Sequence, residues 1–412
     1  MAGGRLRRPG DEGGQQSVSA GRADARLGRR PTGPAAHLSE PPARTWPLLV
    51  RRAREDDRAA VLSFASTTWD GWDYIPNAWH HWLAAEDGVV LVATAGTTPD
   101  GGPPRDADGR EIEAEQPVAV ARVAMLAEGE AWLEGIRVDP RMRGLGVATD
   151  LQVAELRWAA ASGAAVVRYA TGERNEASHR LGARHGFSQV AAFRLWQWHA
   201  QPPTEEGADE DETSGFDDAA RAQANAVRKA ALEALARDGL VARPEDGDRW
   251  WARLVEDPTF RAGEQLCEHR GWAMQRMTRE LFAFHLARGE VLVAHDAGGW
   301  ALAILHGDAP PAEDADVKLG LLVGAGDAAT RLADRVRRLA GQRIGFWLPD
   351  PDPPVLAEGS DRLIEAGFHP RPWGLHVLAR PIDQDSPLPE PDVSGSLVMA
   401  EPPSAVRPPA FG

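Results

Sequence analysis

One turn of the sequence combines glycines and arginines in an order that suits the binding of an anion. Residues 138–149 read VDPRMRGLGVAT, and they join an apolar run at 130–138 to a predicted helix at 148–163. The start of a helix presents unpaired backbone N–H groups and a positive dipole end, and glycines let that backbone approach an anion without a Cβ in the way. Gly144 and Gly146, beside Arg143, therefore predict an anion cradle, most simply for a pyrophosphate.

Two familiar phosphate-binding motifs do not fit this turn. The P-loop requires Gly-Lys-Ser/Thr, which is absent here. The dinucleotide fingerprint G-x-G-x-x-G is not given by Gly144, Gly146 and Thr149. A plain glycine-rich loop before a helix is the alternative interpretation.

The predicted elements around the turn are typical of an α/β (α+β) domain. Strands are predicted at 47–53, 89–95, 117–126, 130–138, 164–171 and 191–200, and helices at 55–69, 148–163 and 175–187. Residues 97–116 are predicted to form a long polar loop.

The second half of the chain repeats this order weakly. Strand, helix, strand, helix ending in Gly-Phe, and strand follow one another between 315 and 381 as they do between 130 and 200. A chain of 412 residues is also long for a single domain. We therefore predict a duplicated fold. The expected layout is a disordered tail at 1–45, a first domain at 46–200, an acidic linker at 201–222, a second domain at 223–383 and a disordered Pro-rich tail at 384–412.

Composition excludes several classes of protein. The net charge of −15 argues against a nucleic-acid binder. The single cysteine, Cys267, allows neither an internal disulfide nor a cysteine-based metal site, and no metal site is expected. The sequence has no run of eighteen apolar residues, so no membrane partner is expected. A reducing, cytoplasmic location is the expectation.

The cradle resembles the signature of the GNAT N-acetyltransferases, Q/R-x-x-G-x-G/A, with Arg143, Gly146 and Ala148 filling its fixed positions. A second segment, from Asn175 to Gly186-Phe187, resembles the family's N-x-x-A/S…G-F stretch. The resemblance implies the GNAT acyl-CoA N-acyltransferase fold for 46–200, with a degenerate GNAT-like domain after it.

The resemblance also implies acetyl-CoA as co-substrate. Backbone groups of Arg137 and Val138 would bind the pantetheine, and the Val138 N–H would polarise the thioester carbonyl. Asn175 and Ser178 would touch the far end of the pantetheine arm. The pyrophosphate would be held by Arg143, Gly144, Leu145, Gly146, Val147, Ala148 and Thr149.

The sequence departs from the family at one catalytic position. The tyrosine that often follows the asparagine by seven residues, and protonates the leaving thiolate, is Gly182 here. Tyr169 is the candidate replacement, with His179 and His185 as others. The alternative for Tyr169 is an ordinary half-buried strand aromatic.

Glu134 is the candidate base for the acceptor amine. It lies mid-strand in WLEGIRV, where alternation places Trp132, Glu134, Ile136 and Val138 on one face. A carboxylate in such a strand is costly unless it has a partner or a function. The alternative is a structural ion pair, for example with Arg137 or Arg168.

The aromatic stretch GWDYIPNAWHHWL at 71–83 is expected to wall the acceptor site, with Asp73 pairing a cationic amine. The alternative is an amphipathic helix that packs its tryptophans into the core. This stretch resembles histidine N-acetyltransferase-like proteins through Asp73, Tyr74, Pro76, His81, Trp82 and Leu83. The likeness implies a small-molecule amine acceptor, foremost a free amino acid, with Asp73, Tyr74 and His81 as substrate residues. A peptide acetyltransferase and a non-catalytic acetyl-CoA-binding module are the alternatives.

The second half lacks the cradle. Its corresponding turn is Gly324-Ala325-Gly326-Asp327, without an arginine, and Asp327 would repel a pyrophosphate. We therefore expect the second half to bind no CoA and to shape the acceptor cleft instead.

Overall fold

The computed structural model describes residues 44–68, 71–198, 218–297, 299–305, 317–340, 344–350, 357–391 and 395–407. The predicted tail at 1–45 lies outside the described residues up to position 43. The predicted acidic linker lies outside them up to position 217, and residues 218–222 already belong to a helix.

The first half contains six strands and four helices among the described residues. The strands are β1 (Leu48–Arg52), β2 (Gly88–Ala95), β3 (Pro117–Ala127), β4 (Glu130–Val138), β5 (Val166–Gly172) and β6 (Ser188–Trp198). The helices are α1 (Arg58–Ala65), α2 (Ile75–Ala84), α3 (Val147–Ala161) and α4 (Glu176–Arg184). The six strands and the helices α1, α3 and α4 confirm the predicted order, with ends that differ by a few residues, whereas α2 was given only as an alternative.

The second half adds the remaining elements. Its helices are α5 (Asp218–Arg237), α6 (Gly247–Glu256), α7 (Pro258–Ala262), α8 (Arg279–Ala287), α9 (Gly326–Ala340) and α10 (Ala357–Glu365). Its strands are β7 (Leu266–Arg270), β8 (Ala273–Arg276), β9 (Val291–Asp296), β10 (Gly299–Leu305), β11 (Val317–Gly324), β12 (Ile344–Pro349), β13 (Phe368–Pro381) and β14 (Leu397–Met399). The hairpin of β7 and β8 was not predicted.

The two halves share one twelve-stranded sheet, in the order β14-β1-β2-β3-β4-β5-β13-β6-β12-β11-β10-β9. The halves exchange their closing strands. β13 of the second half lies between β5 and β6, where Leu375 is opposite Gly172 on one side and Phe193 on the other. β6 of the first half pairs with β12, with Trp196 opposite Phe346. The predicted boundary near residue 200 therefore divides the chain into two halves, but both halves contribute strands to the same sheet.

Helices cover the sheet of the first half on both faces. On one face, α3 buries Leu151 and Trp158 against β1–β5. On the other face, α2 buries Trp79 and Trp82. The Trp82 ring lies so close to the backbone of β4 that a Cβ at Gly135 would be 2.5 Å from it. These tryptophans therefore belong to the core, as the alternative interpretation of residues 71–83 held.

A β-bulge interrupts β4 at Gly135, which has a φ of 72°. Two residues of β4 oppose one residue of β3 there, and this shifts the alternation of side chains. Trp132 packs under the hairpin of the second half, whereas Ile136 and Val138 pack against the core under α3. The prediction that these residues share one face with Glu134 is wrong beyond the bulge.

The last described stretch of the chain is folded against the first strand. β14 pairs in parallel with β1, with Leu48 opposite Leu397. Val406 is buried, and its N–H donates to the hydroxyl of Ser162 at 3.1 Å. The prediction of a disordered tail from 384 onward is wrong for these residues, because their apolar side chains and backbone groups find partners on the first half.

No helix among the described residues is long and apolar enough to cross a membrane.

Candidate active site

β4 and β5 run side by side only where they begin. β4 pairs with β5 through Glu130, Ala131 and Trp132, which lie opposite residues 166–168. No further residues of these two strands, both of which the structure describes throughout, pair with each other. The bulge at Gly135 turns the rest of β4 away. A gap therefore opens between the two strands on the side that leads to the predicted cradle.

The cradle, residues 143–149, follows the end of β4 and begins α3. Gly144 and Gly146 have φ of 80° and 72°, and a Cβ on either would meet nothing within 4 Å. Within the described chain, the N–H groups at 144 and 146–149 donate to no other residue, as expected for a helix start that no side chain caps. The turn is thus open, glycine-dependent and rich in unpaired N–H groups, which suits a phosphate anion.

One cation at this turn is available to a ligand. Arg141 forms an ion pair with the carboxylate of Asp139, at 2.6 Å. Arg143 is exposed and makes no ion pair with any residue that the structure describes. Arg143 is therefore placed so that it could add its charge to the cradle, and its role there stays a prediction.

The backbone of Val138 faces the gap between β4 and β5. Asp139 N donates to Val118 O at 2.9 Å. Since residues of an antiparallel pair bond to the partner strand alternately, the N–H and C=O of Val138 point to the opposite edge, away from β3. This orientation fits the predicted carbonyl-polarising role of Val138.

Arg137 is placed differently from its prediction. The same alternation directs its backbone groups toward Val120 of β3. Its guanidinium meets Asp73, Nε to Oδ2 at 2.6 Å, and lies over the ring of Tyr74 at 5.3 Å. This placement argues against Arg137 as a pantetheine ligand.

Asp73 and Tyr74 are also committed to structural contacts. The Asp73 side chain is fully buried, and Oδ1 also accepts from Ile75 N at 3.1 Å. Burial raises the pKa of Tyr74 to about 12. The prediction that Asp73 pairs a cationic amine is therefore corrected, because Arg137 already neutralises this carboxylate. His81 is half-buried on α2.

Glu134 belongs to an ion network across both halves of the chain. Its carboxylate bonds to Arg122, which is fully buried and also meets Asp87 at 2.8 Å. Arg270, from the hairpin of β7 and β8, lies 3.6 Å from Glu134 and 3.3 Å from Asp87. The ion-pair alternative is thus correct, although the partners are Arg122 and Arg270 rather than Arg137 or Arg168. The Glu134 side chain keeps 20% of its surface exposed.

The hairpin places further residues near Glu134 that the sequence did not reveal. Burial and the nearby Arg270 lower the pKa of His269 to about 4, so its imidazole is neutral near pH 7. At the hairpin tip, Trp272 is partly exposed and its ring lies 5.2 Å from that of Trp373 on β13. No local motif marks these residues, because only the fold of the second half brings them to β4.

Tyr169 fills the space that Gly182 leaves free. A Cβ at Gly182 would lie 2.0 Å from the Tyr169 hydroxyl oxygen. That hydroxyl donates to Ser178 O at 2.9 Å, and Asn175 caps α4 by accepting from Ser178 N at 3.2 Å. Tyr169 from β5 therefore fills the space beside α4 that a side chain at position 182 would otherwise occupy.

The electrostatics of Tyr169 do not favour proton donation. Burial raises its pKa to about 12, with a contribution from Glu155 of α3. A thiol ionises near pH 8.5, so transfer of the phenol proton to a thiolate would be uphill by about 5 kcal/mol. Its proton is also engaged by Ser178. The structure argues against the predicted catalytic role of Tyr169.

The two histidine candidates are likewise buried or paired. His185 Nδ1 lies 2.6 Å from Gln152 Oε1 in the interior. His179 on α4 meets the ring of His376 on β13 at 5.1 Å. No group of three or more His, Cys, Asp or Glu side chains in the described part of the chain could hold a metal ion.

The matching turn of the second half is closed. A Cβ at Gly324 would lie 2.3 Å from Trp300 O, whereas the two cradle glycines face open space. Asp327 is held by Arg362 at 2.5 Å. Of the two turns, only the one at 143–149 leaves room for an anion.

A family comparison agrees with this geometry. Residues 46–187 match the family described as the acetyltransferase (GNAT) family. This part of the chain forms a GNAT domain.

Two solved structures are among those to which the chain is similar. A GCN5-related N-acetyltransferase from Sphaerobacter thermophilus is 16% identical, with a TM-score of 0.42, over 82% of this chain and 98% of its own. Another, from Kribbella flavida, is 16% identical, with a TM-score of 0.38, over 83% of this chain and 73% of its own. No curated protein matches the chain.

Proposed function

We propose that this chain is an acetyl-CoA-dependent N-acetyltransferase that acetylates the amine of a small molecule, foremost a free amino acid. The open cradle at the start of α3 carries the proposal, because its unpaired N–H groups and two left-handed glycines suit a pyrophosphate. The gap between β4 and β5 leads directly to it. When bound, acetyl-CoA supplies an activated acetyl thioester.

The donor side can be assigned from the placement of backbone groups. The N–H groups at 144 and 146–149 and the side chain of Arg143 would hold the pyrophosphate. The Val138 N–H would face the thioester carbonyl and stabilise the charge that develops on its oxygen. Asn175 and Ser178 form the far wall by positioning the first turn of α4.

The acceptor amine is best assigned to the surface of β4 around Glu134. This carboxylate is the one partly exposed acid on β4 next to the bulge, and we propose that it accepts the amine proton through water. Its pairing with Arg122 and Arg270 fixes its position.

The hairpin of the second half contributes the opposite wall of this acceptor region. Arg270 is directed to the Glu134 network, and Trp272 and Trp373 lie near the end of β5, since the residue after Trp373 accepts from Glu173 N. The exposed ring of Trp272 and the half-buried ring of Trp373 would suit the ammonium group of a small acceptor, which supports an amine such as that of a free amino acid.

The decisive experiment measures release of free CoA thiol from acetyl-CoA with separate panels of amino acids, polyamines and short peptides. Turnover with amino acids and not with peptides is the expected result. Turnover with peptides alone would replace the acceptor by a peptide N-terminus or lysine. Binding of acetyl-CoA without turnover of any amine would identify a non-catalytic acetyl-CoA-binding module. Failure to bind CoA would overturn the proposal entirely.

A further inference from the structure

Arg44, just before β1, has its side chain buried behind the cradle. The side chain is only 3% exposed, and the guanidinium forms hydrogen bonds to three other parts of the chain. Nη1 donates to Leu145 O at 2.9 Å, and Nη2 donates to Asp150 Oδ2 at 2.5 Å and to Ser396 O at 2.7 Å. One side chain thus connects the cradle turn, the first turn of α3 and the segment before β14.

The bond to Leu145 reaches the centre of the cradle. Leu145 lies between the two left-handed glycines, whose backbone is the most permissive in the turn. Its own N–H bonds to Met142 O at 3.3 Å, so the Arg44 bond ties the carbonyl side of the same residue to the body of the fold. A planar guanidinium with several fixed donors can hold such a carbonyl and a carboxylate at once, whereas an ammonium cannot reproduce this fork.

The ion pair with Asp150 removes a charge that would oppose the ligand. Asp150 lies in the first turn of α3, beside the N–H groups that face the cradle, and its side chain is 6% exposed. An uncompensated carboxylate there would repel a pyrophosphate. Arg44 neutralises it, and Ser396 donates its hydroxyl to the same oxygen at 2.8 Å.

We propose that Arg44 is a positioning residue for the pyrophosphate of acetyl-CoA and acts through Leu145 and Asp150. Ser396 supports it from the C-terminal segment. This role rests on the proposed function, because it presupposes that the cradle binds CoA.

The test compares two donors that differ only in the part the cradle would hold. Acetyl-CoA carries the pyrophosphate, and S-acetylpantetheine lacks it. Arg44→Met should raise the KM for acetyl-CoA, and the Kd for CoA, by about tenfold, the loss expected from one charge-assisted interaction. The KM for S-acetylpantetheine should stay within about twofold of the wild-type value. Arg44→Lys should recover only part of the affinity.

Arg52→Met is the matched control. Arg52 also joins the first strand to the C-terminal segment, through Ser404 Oγ at 2.7 Å, and stacks over Trp158 of α3, but it does not touch the cradle. The Arg52→Met substitution should leave the affinity for CoA unchanged. If Arg44→Met does not fold, Ser396→Ala is the milder variant, and it should weaken CoA binding and spare S-acetylpantetheine.

The outcomes separate this role from the proposed function. Wild-type protein that binds no CoA would overturn both. Wild-type binding with an Arg44→Met affinity that is unchanged would overturn the role of Arg44 alone. An equal loss for both donors would show that Arg44 merely stabilises the fold, and would also overturn the proposal.

Discussion

The hydroxyl of Tyr169 lies where a side chain on Gly182 would begin, 2.0 Å from the position of its Cβ. Two residues from different elements, β5 and α4, are thereby interdependent: the phenol fits because the helix carries a glycine. The hydroxyl cannot easily move aside, because it is buried and bonded to Ser178 O.

This relationship predicts a specific pattern of stability. Gly182→Ala should lower the free energy of unfolding by about 2 kcal/mol, because the added methyl overlaps a fixed oxygen. In a Tyr169→Phe background the nearest ring atom is 3.1 Å away, so the same substitution should cost about 1 kcal/mol less. Denaturant unfolding of the four proteins measures the coupling. Additive losses would mean that the two residues do not compete for space.

The cradle predicts a loss of CoA binding in Gly146→Glu. The new side chain enters the anion site and brings a negative charge to the start of α3, so binding should fall by at least about a hundredfold. Gly163→Glu is the control, since Gly163 follows the other end of α3 with a φ of 82° and open space around it. Both variants carry similar backbone strain, and only the first should fail in isothermal titration with CoA. Normal affinity of Gly146→Glu would refute the site.

Glu134 and Glu130 offer a matched pair on β4. Both are ion-paired and near the hairpin of the second half: Glu134 with Arg122, and Glu130 with Arg168 at 2.9 Å. If Glu134 is the base, Glu134→Gln should lower kcat about a hundredfold, mainly below the pKa of the acceptor amine, and Glu130→Gln should not. A pH–rate profile for each variant decides this. Equal rates for Glu134→Gln and wild type at every pH would remove Glu134 from the reaction.

The cradle could be predicted from sequence because its parts are contiguous. Arg143, Gly144 and Gly146 lie within four residues, directly before the helix α3, and local geometry fixes what they present. The direction of the β4 side chains could not be predicted, since the bulge at Gly135 depends on the register with β3 and on the ring of Trp82. One extra residue in that ladder moved Ile136 and Val138 to the opposite face.

Contacts between residues far apart in the chain were the second feature that could not be predicted from the sequence. In the sequence, Asp73 has no evident partner, and it therefore resembles a substrate ligand. Its partner in the structure, Arg137, lies 64 positions further along the chain. Arg270 and His269 carry no motif at all and reach Glu134 only because the second half folds onto the first. The family resemblance thus predicted a donor site, whereas the contacts on the proposed acceptor side are ones that no local pattern encodes.

His269 predicts a dependence of stability on pH. Its pKa is about 4 in the folded protein and about 6.5 when unfolded, so between these values the unfolded chain binds a proton that the native protein does not. The free energy of unfolding should therefore fall as pH drops from about 6.5 to about 4, by at most about 3 kcal/mol from this residue. Arg270 lowers this pKa, while Asp87 and Glu134 oppose the shift.

The measurement is denaturant unfolding of wild type and His269→Gln from pH 4.5 to 7.5. Carboxyls such as Glu155 and Glu268, whose pKa values burial raises, act in the opposite direction in both proteins, so the difference between the two curves isolates His269. Wild type should lose stability relative to the variant as the pH falls. Parallel curves would show that His269 is solvated rather than buried near Arg270.

The exchange of β6 and β13 predicts that neither half folds alone. A fragment that ends after residue 198 keeps β6 but lacks β13, which fills the space between β5 and β6. A fragment from residue 218 keeps β13 but lacks both of its neighbours, and its β12 loses β6. Each fragment would expose unpaired strand edges and apolar faces, so each should aggregate or remain unfolded when produced separately. When both fragments are expressed together in the same cells, they should assemble as a 1:1 complex that binds CoA with the affinity of the intact chain. A monomeric, cooperatively unfolding fragment 44–198 would contradict the exchange.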